Sequence, residues 1–249
     1  MSTGTWVQAE VVEQKRWTEN LFSLQVEADI APFEAGQFGK LALIIEGEEI
    51  ARPYSFVNAP DERPHEFYYI TLPMGPLSSR LAQLRAGDKV LLAPKATGFL
   101  VLSEVPDAQN LWLIATGTGI GPFLSILKTT TAWERFANVT LVHAVRYAAE
   151  LTYRDTIEQI QAAHSKQFRS LSFVSRETSS GALSGRVPAA IQDGSLEAAA
   201  GLSISPDSSQ VMLCGNPDMV RDTISALQLR GMKKHRRRDP GQITVENYW

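Results

Sequence analysis

At 249 residues, with 44% hydrophobic and 20% charged side chains, the chain can bury one large core or two ordinary ones, which excludes a disordered or fibrous protein. A formal net charge of −3 gives no general attraction to nucleic acid, and the single cysteine, Cys214, excludes an internal disulfide and suits a reducing compartment. No apolar run approaches the roughly 20 residues that span a bilayer, and Met1 to Trp17 holds no signal-peptide core, so a soluble cytoplasmic protein is expected.

The first hundred residues predict β-structure. Phe22, Leu24, Val26 and Ala28 alternate with Ser23, Gln25 and Glu27, the period of a half-buried strand. Further strands are predicted over 38–45, 66–72 and 89–93. Breakers at Pro32, Gly36, Gly47 and Gly87-Asp88 space them as in a small antiparallel barrel or sandwich. Arg52-Pro53-Tyr54-Ser55 is placed at the start of a strand, because Pro53 lacks a ladder donor and belongs at an edge or a start. A short helix is expected where Leu77, Leu81 and Leu84 recur after Gly75-Pro76. Past the polar bridge 103–109 the rhythm changes. Apolar runs at 111–115, 139–145, 168–174 and 211–214 each precede a helical pattern, at 122–127, 150–164, 188–192 and along the Val220, Ile224, Leu227 face. That alternation predicts a parallel α/β sheet and a boundary near 103–109, dividing the chain into 1–103 and 110–249.

Three stretches carry chemistry. In the first, Arg52 is a permanent cation suited to a pyrophosphate, Tyr54 a flat ring that can lie on another, and Ser55 a small hydroxyl. Alone, the tetrapeptide is equally a strand with an exposed Arg and a packed Tyr. In the second, Gly117-Thr118-Gly119-Ile120-Gly121-Pro122 follows an apolar strand and opens a helix, so unpaired amides face an incoming anion, and Pro122 suits the first turn. The spacing is neither the common dinucleotide fingerprint nor a P-loop, which needs Gly-Lys-Ser/Thr. A phosphate-bearing ligand is favoured over tight packing alone. In the third, Cys214-Gly215-Asn216-Pro217, Cys214 closes the last predicted strand, as a small hydrophobe or as the neighbour of a nicotinamide.

Arg146, Arg176 and Arg186 fall at or just beyond the ends of predicted strands, where ligands of parallel sheets bind. Ser175 and Gly185 give two of them small neighbours. Convergent guanidiniums would suit the 2′-phosphate that separates NADP from NAD; scattered surface arginines are the alternative. The chain ends Glu246-Asn247-Tyr248-Trp249, and two aromatics at a terminus need a ligand or a neighbouring core to pack on. The run 233–238, Lys-Lys-His-Arg-Arg-Arg, is a solvated face or a dock for an acidic protein, with RNA the weaker alternative. His65, His143, His164 and His235 show no metal spacing and are read as structural or surface residues, and nothing resembles a hydrolase site.

On these motifs the chain resembles, end to end, the ferredoxin/flavodoxin–NADP(+) reductase family, in its bacterial form ending Tyr-Trp. The resemblance implies an antiparallel β-barrel FAD-binding domain followed by an α/β parallel-sheet NADP(H)-binding domain. It assigns Arg52, Pro53, Tyr54 and Ser55 to FAD, and Gly75, Leu77 and Ser78 to its diphosphate through the backbone, with Pro76 where relatives carry Lys or another polar residue. It puts Thr118 close to the flavin, Tyr248 over the isoalloxazine and Trp249 on the adenine. Gly119, Gly215 and Asn216 go to the nicotinamide dinucleotide, and Arg146, Ser175, Arg176 and Arg186 to its 2′-phosphate. Ser55, Cys214, Glu246 and Tyr248 become the catalytic group, with Ser55 near flavin N5 and Glu246 relaying a proton. The implied activity exchanges electrons between NADP(H) and an acidic carrier, ferredoxin or flavodoxin, with hydride passing between flavin N5 and nicotinamide C4. A monomer with no nucleic-acid, membrane or metal partner is expected. Two rivals remain: an NAD(P)H-flavin reductase or oxygenase reductase component, and a non-enzymatic flavoprotein regulator or RNA-binding module.

Overall fold

A computed structural model describes residues 6–247. Its first half is one six-stranded antiparallel sheet built from β1 (Val7–Arg16), β2 (Leu21–Glu27), β3 (Phe38–Ile45), β4 (Glu48–Ser55), β5 (His65–Ile70) and β6 (Lys89–Leu92), in the order β4-β3-β6-β1-β2-β5. The sheet curls until its edges meet. Phe56, just past β4, bridges Phe67 of β5, and Val57 N–H donates to Glu66 O at 2.9 Å. Alternation explains the barrel's filling. Leu24, Val26, Leu41, Phe56, Phe67 and Leu92 turn inward and are buried together, joined by Leu81 of the short helix α1 (Ser78–Leu81) and Leu77 just before it.

Two expectations are corrected here. Arg52 to Ser55 end β4 rather than begin a strand, although β4 is an edge strand and Pro53 is tolerated there as argued. Ser23 does not face water. It is 2% exposed, because the barrel's outer wall at β2 is covered by the second half of the chain. There its Oγ lies 2.5 Å from the Tyr153 hydroxyl, which donates to Glu66 at 2.6 Å.

The second half is a six-stranded parallel sheet: β7 (Asn110–Thr116), β8 (Asn138–Val145), β9 (Phe168–Val174), β10 (Leu183–Ser184), β11 (Ser209–Gly215) and β12 (Ile243–Asn247), in the order β10-β9-β8-β7-β11-β12. The helices are α2 (Gly121–Leu127), α3 (Thr131–Arg135), α4 (Arg154–Ala163), α5 (Val187–Gln192), α6 (Ser195–Ala200) and α7 (Pro217–Gln228). Covered on both faces, β11 is buried throughout and β7 up to Ala115, which is why they read as continuous apolar runs. Helix α7 starts where Asn216 Oδ1 accepts the Asp218 and Met219 amides and Pro217 needs no partner. One core joins the two halves: Leu21, Val57 and Tyr68 of the barrel pack with Leu111, Phe123 and Met212. Cys214 does not close the last strand. Strand β12 lies beyond it in sequence and beside it in space, pairing Cys214 with Glu246.

Candidate functional site

Strand order reverses between β7 and β11, and ligands of such sheets bind beyond the strand ends at that point. There the barrel's open wall faces the sheet across a cavity of about 530 Å³. Arg52, Pro53, Tyr54 and Ser55 line it from the end of β4, Gly75, Pro76 and Ser78 from the loop into α1, Thr118 from the glycine-rich turn, and Glu246 from β12. Residues distant in sequence thus meet on one concavity. Leu77, in contrast, is 1% exposed and packs inside the barrel, not on the cavity wall.

The cavity wall is largely apolar, with four aromatic rings, and Arg52 and Glu246 are its charged residues. Arg52 is exposed and donates to Ala51 O at 2.7 Å. Burial pushes the Tyr54 phenol up to about 12, against the opposing pull of Arg52. Burial likewise raises Glu246 to about 7, and a hydrogen bond from Ser55 opposes that rise. A carboxyl titrating near neutrality beside a hydroxyl can hold or release a proton at working pH.

Sequence reasoning missed Phe38, Tyr68, Tyr69, Ile70 and Leu72 on the same wall. Tyr68 accepts a hydrogen bond from Thr152 at 2.9 Å and Tyr69 one from Gln14 at 3.0 Å, so both rings are fixed. The available signal was positional: β5 precedes the Gly75 loop directly, so its end had to open onto the same place.

The glycines act through contact distance. A Cβ on Gly119 would sit 2.5 Å from Cys214 O, and one on Gly215, whose φ is +130°, would sit 2.2 Å from Thr116 Oγ1. Only glycine lets the ends of β7 and β11 interlock. Thr116 Oγ1 also accepts the Asn216 amide at 2.8 Å. Cys214 is wholly buried beneath this junction and does not line the cavity, while Asn216 is exposed and its side-chain oxygen caps α7. Tyr248 and Trp249 lie outside the described residues.

The arginines occupy a second, exposed rim. Val145, Val174 and Ser184 are in register across β8, β9 and β10, so Arg146, Ser175, Arg176 and Arg186 follow three adjacent strand ends. Arg176 N–H donates to Arg146 O at 2.9 Å, and its guanidinium lies 5.9 Å from the Tyr147 ring centroid. Of the histidines, His65 and His143 are buried and His164 stacks on Trp133 at 3.7 Å. No cluster that could hold a metal occurs among the described residues, and no helix there is long and apolar enough to cross a membrane.

Comparison with known proteins agrees with this geometry. Residues 113–224 match the model of the oxidoreductase NAD-binding domain. The chain is 50% identical to the flavodoxin/ferredoxin–NADP reductase of Escherichia coli strain K12, over 98% of this chain and 99% of that one. It is 32% identical to the ferredoxin–NADP reductase of Pseudomonas aeruginosa, over 95% of each. A crystal structure of a ferredoxin NADP+ reductase from Neisseria gonorrhoeae with bound FAD and NADP superposes with a TM-score of 0.94 at 34% identity, covering 99% of this chain and all of that one.

Proposed function

The chain belongs to the flavodoxin/ferredoxin–NADP reductase family, and from that premise we propose how its own residues divide the work. It is an FAD-dependent oxidoreductase that exchanges electrons between NADP(H) and ferredoxin or flavodoxin. The cavity fits the cofactor: about 530 Å³ of largely apolar wall with four aromatic rings, one guanidinium and a hydroxyl–carboxylate pair. Bound there, FAD supplies hydride exchange with the nicotinamide and one-electron exchange with the carrier.

The protein's share is binding, orientation and proton control. Arg52 would hold the diphosphate, with the Gly75 and Ser78 backbone beside it and that of Leu77 assigned by resemblance alone, and Tyr54 would pack on the ring system. Thr118 brings the β7 turn to the same cavity, so the flavin and the nicotinamide would meet at one junction. Ser55 and Glu246 would hold the proton that accompanies electron transfer, on the Glu246 carboxyl. Gly119, Cys214 and Gly215, closely packed where the β7 turn meets β11, would back the nicotinamide, with Asn216 next to it. Arg146, Arg176 and Arg186, with Ser175, would clamp the 2′-phosphate. Tyr248 and Trp249 are assigned to the isoalloxazine and the adenine by resemblance.

The division 1–103 for flavin and 110–249 for NADP(H) follows from the same reading, and a cytoplasmic monomer is proposed with it by resemblance to the family. The observation that carries all of this is the meeting of Arg52 to Ser55, Thr118 and Glu246 on one cavity. The test is the visible spectrum of the purified protein. Oxidised flavin bands should be present and should bleach on NADPH addition, much faster than on equal NADH. A colourless protein that binds neither coenzyme would reject the assignment.

A further inference from the structure

We propose that His143 is a positioning residue for the dinucleotide turn, acting through the Gly117 carbonyl. The inference rests on the reading of that turn given above. Strand β8 carries His143 next to Ala115 of β7, the residue pair two positions before Gly117. From there its Nε2–H donates to Gly117 O at 3.0 Å. Gly117 has φ +52° and begins the tight turn Gly117–Ile120 that carries Thr118 to the cavity and Gly119 to Cys214. One flank of the turn is therefore fixed by backbone contact at Gly119, and the other by this imidazole.

Filling space does not explain the residue. His143 is 1% exposed in a strand whose other buried residues are Val139, Thr140, Leu141, Val142 and Val145, and unlike the Thr140 hydroxyl its ring has a backbone partner. An imidazole there loses its hydration, and an apolar side chain would fill the volume without that cost. Burial drops its basicity to about 4, so it stays a neutral donor over the working pH range. A neutral ring places one proton on one nitrogen and can serve the carbonyl without bringing charge to a site that must accept phosphates. The backbone it holds leads directly into the residues assigned to the flavin and the nicotinamide, while the ring itself does not line the cavity.

The test uses the holoenzyme with His143→Phe, which keeps an aromatic ring but removes the donor, and His143→Gln, whose amide can reach the same carbonyl. Wild-type protein that binds FAD and oxidises NADPH first establishes the underlying reading. Expected next is a Phe variant that retains FAD yet raises the NADPH KM roughly tenfold, equivalent to about 1.4 kcal/mol. Its kcat should change less than its KM, and Gln should recover to within about twofold of wild type. Equal impairment of Phe and Gln, or wild-type KM in Phe, would overturn the proposal. Should Phe fail to fold, NMR of the imidazole nitrogens in wild-type holoenzyme decides: a proton on Nε2 at neutral pH supports it, and one on Nδ1 defeats it.

Discussion

Three titrating side chains set opposite pH slopes. Glu246 is raised from 4.5 to about 7, so the native carboxyl binds its proton more tightly than the unfolded one. Its contribution is complete below about pH 4.5 and is lost as pH rises through 7. Glu246→Gln should therefore match wild type in stability at pH 4 and exceed it at pH 8, by up to ~3 kcal/mol in denaturant melts. His65 and His143 work the other way. Both are lowered to about 4 from 6.5, mainly by burial, so the unfolded chain takes up protons that the fold refuses. Stability should fall as pH drops from 6.5 toward 4. The Ser55 hydroxyl opposes the rise of Glu246. Ser55→Ala should move the Glu246 limb of the pH–rate profile upward; an unmoved limb would separate that pair from proton handling.

Arg176 and Arg186 offer the cleaner residue-scale test, because both are exposed beyond the strand ends. A charged hydrogen bond to phosphate is worth about 1.5–3 kcal/mol. Replacing either with Ala should raise the NADPH KM about tenfold or more and leave NADH nearly untouched. Equal losses with both coenzymes would remove them from the 2′-phosphate.

At the scale of elements, what periodicity could show was legible and what tertiary contact decides was not. Strands β3 and β9 match the predicted 38–45 and 168–174, because alternation or an apolar run marks them locally. Strand β12 went unread: Ile243–Asn247 has no apolar run of its own and is a strand because β11 offers it an edge. Strand β1 was missed for a related reason, since only Ala9 and Val11 of its ten residues are buried. The candidate site was legible where a motif is contiguous, as in Arg52 to Ser55. It was illegible where a residue serves from another element, as Phe38, Tyr68 and Tyr69 do. The glycine-rich turn was read for its amides, yet the structure adds a packing demand at Gly119. Gly119→Ala would drive Cβ into backbone that cannot rotate away, costing about 2–3 kcal/mol. A melting temperature lowered by roughly 5–10 °C is the expected reading.

Across the whole molecule, a net charge of −3 coexists with an exposed basic run at 233–238. Within that run Arg237 is already committed, paired with Glu104 and lying 4.6 Å from the Phe99 ring centroid. The docking test is therefore better made on Lys233, Lys234 and Arg236. Reversing these three to Glu should slow carrier reduction at low salt and spare NADPH-dependent ferricyanide reduction. The defect should shrink as salt approaches 0.15 M, where screening acts over about 8 Å. Carrier kinetics indifferent to the reversal would place the dock elsewhere.

The arginine rim has an evolutionary consequence. The side chains of Arg146, Arg176 and Arg186 are exposed beyond strand ends held by backbone pairing and by the Ser175 hydroxyl on Val145 O, while the glycine junction and the shared core lie apart from them. Substitutions at the rim thus leave the folding free energy almost untouched, and a lineage can drift there without passing through an unfolded intermediate. On the assignment made above, coenzyme preference is the trait that selection can rewrite most cheaply in this scaffold, one side chain at a time.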